Sequence, residues 1–102
     1  MKSRKDYRID QCLNDIQRYE QWGDLLAKQC VVQFSNTNIP SSASVIYNGL
    51  EYFKAKMKLS VLQDNSHTDE EKEKRLKQID IDSHHMAEIM KNDLEYRGLL
   101  IP

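Results

Sequence analysis

Asp80-Ile81-Asp82-Ser83-His84-His85 is the run in this chain whose side chains most invite a metal or proton-transfer reading. Asp80 and His84, or His84 and Glu88, stand one helical turn apart, and ligation of one ion from positions i and i+4 is physically sound. A tight site needs three or four ligands, however, and adjacent histidines diverge by about 100° on a helix. Neither a His-Glu-x-x-His pattern nor paired Glu-x-x-His motifs occur. The run therefore reads as solvated or ion-paired helix surface, and neither a metal nor any other cofactor is expected. His67 reads as part of an Asp64-Asn65-Ser66 turn.

Other catalytic signatures are missing. No glycine-rich phosphate loop, nucleophile elbow or Cys-x-x-Cys pair is present, and three glycines give the backbone few ways to approach a phosphate closely. Cys12 and Cys30 are 18 residues apart, five turns or about 27 Å on one straight helix, too far to bond to each other. They read as two buried thiols in a reducing compartment. The expectation is a protein that is not an enzyme.

Basic residues give the second chemical possibility. Lys2, Arg4, Lys5 and Arg8 crowd the N-terminus beside Tyr7, and Lys54, Lys56 and Lys58 follow Tyr52 and Phe53. Such groups contact phosphates and stack on bases, so a small nucleic-acid-binding regulator is the alternative function. The net charge of −1 opposes it, as does a 66–97 segment with nine acidic groups against six Lys and Arg. Long periodic segments also differ from the short helices and tight turn of a helix-turn-helix.

These side chains must be positioned by helices, because apolar residues recur at three- and four-residue steps in three stretches. The first is predicted over about 6–34, with Ile9, Cys12, Leu13, Ile16, Tyr19, Leu26, Cys30 and Phe34 on one stripe, and Gly23 leaves open whether it kinks or breaks near Trp22-Gly23-Asp24. A polar loop, Ser35 to Ser42, ends it; Pro40 holds Ile39 out of the helical region, and Ser41 or Ser42 is placed to cap the second helix. That helix, about 42–63, carries Ile46, Leu50, Phe53, Met57 and Val61. A β-hairpin over residues 45–53, turning at Asn48-Gly49, competes with it. Helix is preferred because Lys54 to Leu59 continues without a breaker. The third, about 68–97, opens on the capping box Thr68-Asp69-Glu70-Glu71 and stops at Gly98, with Leu76, Ile79, Met86, Met90 and Leu94 as its stripe. Leu99 to Pro102 form an apolar tail expected to fold back over one end of the helices.

With 102 residues, 39% apolar and 30% charged, the chain reads as a single helical domain, 1–102, with a basic arm at 1–5 and the tail at 98–102. The predicted fold is all-α: an antiparallel three-helix bundle with long helices. No stretch reaches the roughly 20 apolar residues of a membrane span and no apolar signal core follows Met1, so a cytoplasmic protein without membrane association is expected.

Apolar residues are in surplus. Trp22 lies off the first stripe; Val45, Tyr52 and Leu59 recur every seven residues in the second helix; Ile81, His85, Ile89 and Tyr96 share the back of the third. Contiguous apolar patches beyond a few hundred Å² are unusual on monomers. Trp22, Val45, Tyr52, Leu59, Ile81, Ile89 and Tyr96 are therefore the candidate protein interface. The expected function is a protein-protein interaction module with a regulatory or adaptor role, acting as a homodimer or on another helical partner.

Overall fold

Among the described residues, three helices account for most of the chain. In a computed structural model, residues 3–34 and 40–101 are described, with side chains described as far as Cys30 in the first helix. The Ser35 to Ile39 part of the polar loop and Lys2 lie outside the described residues, as do the side chains of Val32 and Phe34. The elements are α1 (Arg4–Phe34), β1 (Ser41–Ser42), α2 (Ala43–Gln63), α3 (Asp69–Tyr96) and β2 (Leu100–Ile101).

Each helix start has a side chain that satisfies free amides. Ser3 and Asp6 cap α1 reciprocally, the Asp6 amide donating to Ser3 Oγ at 3.2 Å and the Ser3 amide to Asp6 Oδ2 at 3.3 Å, so the helix opens at Arg4, two residues before its predicted start. Ser42 Oγ accepts from the Val45 amide at the head of α2. At α3 the Thr68–Glu71 capping box forms in both directions, with three acids in the first turn to complement the helix dipole. The stop at Gly98 is a left-handed residue, φ +70°, from which the Leu99 amide reaches back to the Leu94 carbonyl at 2.8 Å and the Gly98 amide to Glu95 at 3.1 Å. Those two bonds make a Schellman closure, and they turn the chain sharply back.

Two glycines bear on points the sequence left open, and at the second the preferred helix is the one found. α1 runs unbroken through Gly23, and residues 45–53 are helical, so Asn48-Gly49 is no hairpin turn. Both glycines sit where α1 and α2 press together. A Cβ at Gly23 would fall 2.2 Å from the Tyr52 ring, and one at Gly49 would fall 2.6 Å from the Leu26 side chain and 2.9 Å from the Trp22 carbonyl oxygen. The missing side chains let the two backbones approach, at an intrinsic helix cost of about 1 kcal/mol each.

α2 serves two neighbours, approaching α1 more extensively than α3. At one end Cys12, Leu62 and Leu76 meet, with Ile9, Leu59 and Val61 around them. At the other, Ile46 (0% exposed), Ala87 and Leu94 form a second cluster, joined by Tyr47, Leu50, Met90 and the tail residues Leu99 and Leu100. The tail is fixed there by backbone pairing, since β1 and β2 run parallel with Ser41 opposite Leu100 and Ser42 opposite Ile101. Leu13, Met57 and Met86, assigned to the buried stripes, are instead largely exposed. On α2, which faces two neighbours, the apolar surface splits into two arcs, and a single stripe drawn down its length misplaces Met57 between them. The molecule is rod-shaped, 49 × 23 × 23 Å.

Candidate interaction surface

Ion pairs and hydrogen bonds hold α3 in place and leave one of its faces outward. Tyr47 Oη donates to Glu88 at 2.6 Å, which holds that carboxyl below its ordinary range and the phenol above. Lys58 meets Asp80 at 2.5 Å, Lys54 lies 4.0 Å from the same carboxylate and 2.8 Å from Glu51, and Arg8 pairs with Glu73. The Arg8 hydrogen bond keeps the Glu73 carboxyl low. At the α2–α3 turn, Asp64 accepts from the Ser66 hydroxyl at 2.6 Å, from the Ser66 amide at 2.8 Å, and faces His67 Nδ1 at 2.8 Å, so its carboxyl sits far below the usual range.

These contacts decide what the chemical candidates can do. Asp80 and Glu88, the partners one turn either side of His84, are already engaged by Lys58 and Tyr47, and among the described residues no three His, Cys, Asp or Glu groups converge on a metal position. Both cysteines are free, Cys12 buried and Cys30 half-buried, and burial pushes both thiols up, the direction opposite to a reactive nucleophile. Every carboxyl with a resolved shift, at Asp64, Glu73 and Glu88, is lowered, whereas a general acid needs a raised value.

Among the described residues, the candidate basic side chains do not assemble into one positive face. Lys54 and Lys58 line a cleft of about 310 Å³ together with Asp15, Glu51, Glu73 and Asp80, whereas the exposed Lys56 lies over the Tyr52 ring at 5.2 Å. Arg4, Lys5 and Arg8 do share an open cleft, of about 520 Å³, with the buried stem of Lys72, but Asp69, Glu70 and Glu73 line it too.

The surplus apolar residues divide into two sets. Tyr52 packs its ring over Gly23 and edge-on to Phe53, and Leu59 joins the Cys12 cluster, so both serve contacts inside the chain. Trp22 and Val45 are half-buried. Ile81, Ile89 and Tyr96 stay outward on α3, with exposures of 61%, 52% and 92%, and Met86 is exposed on the flank of the same helix. Ile89 also lines an apolar groove of about 210 Å³ whose other walls include Leu26, Ile46 and Leu94. The exposure of Met86 was not legible in the sequence, where it continued the Leu76-Ile79 stripe.

Among the described residues, no helix is long and apolar enough to cross a membrane. Comparison with known proteins returns nothing similar: no family model, no curated protein and no solved structure matches the chain.

Proposed function

We propose that this chain is a protein-interaction module, an antiparallel three-helix bundle that associates through the outer face of α3 and serves a regulatory or adaptor role. The observation that carries the reading is the row of large apolar side chains, Ile81, Ile89 and Tyr96, left exposed on a helix whose opposite side is fixed by Tyr47 and Lys58. Apolar groups of that size, grouped on one element, mark association surfaces. The antiparallel arrangement is supported by the pairing of Cys12 with Leu62 at one end of the rod and of Leu26 with Gly49 further along. Binding rather than turnover is supported by the engagement of Asp80 by Lys58 and of Glu88 by Tyr47, beside thiols that burial pushes up. Two free cysteines fit a reducing compartment such as the cytoplasm.

The nucleic-acid alternative is the weaker reading, because acids line both clefts that hold the candidate basic residues. Light scattering at two protein concentrations and two salt levels separates the possibilities. The expected result is a mass near twice the 12.0 kDa of one chain at the higher concentration, little changed by salt, and reduced to one chain by Ile81→Asp. A single-chain mass under every condition would remove the homodimer, and salt-sensitive retention of an oligonucleotide would favour the alternative.

A further inference from the structure

The charges that flank the exposed α3 face carry an order of their own. Arg75 and Asp93 are 18 residues apart, and so are Lys77 and Glu95. Eighteen residues make five turns, so each pair lies on one line along the helix, the first roughly 80° to one side of His85 and the second roughly 80° to the other. All four residues are exposed, and Asp93 lies 3.6 Å from Arg97 at the end of its own helix. The midpoints of the two pairs are residues 84 and 86, and Ile81 with Ile89, Gln78 with Asn92, and Lys74 with Tyr96 all centre on His85.

We infer that the partner on this face is a second copy of the chain, its α3 lying antiparallel to the first about a two-fold axis at His85. The inference rests on the reading of α3 as an association surface and specifies the occupant and register. In an antiparallel pair each flank meets the same flank of the other copy. Arg75 then faces Asp93 of the second copy and Lys77 faces Glu95, each contact occurring twice. Along the centre, Ile81 packs against Ile89, His85 against His85, and the Lys74 ammonium comes over the Tyr96 ring.

A parallel pair fails on the same charges. There opposite flanks meet, setting Arg75 against Lys77 and Asp93 against Glu95, four like-charged contacts in place of four complementary ones. Of the acids nearest the axis, Glu88 is held toward α2 by Tyr47, and Asp82 is held along its own helix by Gln78 at 2.8 Å. The run from Lys74 to Tyr96 covers about 33 Å, most of the length of α3.

The test uses full-length chains carrying Cys30→Ser plus one new cysteine at His85, Gln78 or Asn92, all exposed positions, treated with a short bismaleimide. The Cys30→Ser chain alone gives the background from the buried Cys12. Expected are efficient linking of His85→Cys to itself, little self-linking of Gln78→Cys or Asn92→Cys, and strong linking when those two are mixed. Lys77→Glu is expected to raise the dimer Kd roughly fivefold to tenfold, with recovery in Lys77→Glu/Glu95→Lys. Self-linking of Asn92→Cys, or a dimer by scattering with no linking at His85, overturns the register while association stands. A monomer at all concentrations overturns the second copy as occupant. Unchanged helix content by circular dichroism in each variant excludes misfolding as the cause of a negative result.

Discussion

Gly49 shows how much a single missing side chain can decide. By helix propensity alone, Gly49→Ala should gain about 1 kcal/mol, since glycine is the costlier residue in a helix interior. The space at Gly49 reverses the sign, because the new methyl would meet both the Leu26 side chain and the Trp22 carbonyl oxygen at distances no relaxed Cβ tolerates. Gly49→Ala is expected to lower stability by about 1–3 kcal/mol in urea melts, and an unchanged or raised midpoint would show that α1 and α2 do not meet there. The same residue explains a limit of sequence reading. Glycine announces that a Cβ is absent but not which neighbour needs the room, so a break at Gly23 and a hairpin at Asn48-Gly49 stayed open beside the helical reading. Tyr52 and Leu59 looked spare for a related reason, as their partners Gly23 and Cys12 lie on another helix.

At the scale of elements, the helices were legible because local signals agreed: stripes at three- and four-residue steps, Ser42 and Thr68 as caps, and Gly98 as a stop. The alternation of two arcs on α2 was not, since it depends on which neighbour lies on each side. The turn between α2 and α3 gives a prediction in pH. Asp64 has its carboxyl lowered by the Ser66 hydroxyl, the Ser66 amide and His67. A lowered folded value means the stabilisation is complete above the unfolded value of about 3.9 and fades as pH falls below it toward the folded value. Asp64→Ala is therefore expected to melt below the parent at pH 7, with a gap that holds down to about pH 4 and narrows only in stronger acid. Thermal melts from pH 7 to pH 2 check this, and a gap that closes already by pH 5 would contradict it.

Over the whole molecule, the two apolar clusters sit at different places along a rod whose radius of gyration, 15.6 Å, exceeds the roughly 13 Å of a compact chain of this size. An elongated shape leaves more surface per buried residue, so each cluster matters. Leu99 and Leu100 complete the one around Ile46. Deleting residues 99–102 removes two partly buried leucines and is expected to cost about 2 kcal/mol, a fall in Tm of about 10 °C by calorimetry. Retention of the parent Tm would mean the tail contributes no packing. Ile81, Met86 and Ile89 stand outside that cluster, so association measured by scattering should survive the deletion wherever the chain stays folded.

The parallel bridge between Ser41 and Leu100 has a mechanical corollary. It ties the last strand to the segment just before α2, through the Ser41 amide bonded to the Leu99 carbonyl at 2.9 Å. Tension applied at the C-terminus is consequently transmitted first to the head of α2 rather than unwinding α3 from its end. The short strand behaves as a clasp on a loop of some sixty residues, and its hydrogen bonds must break before the end of α3 takes the pull.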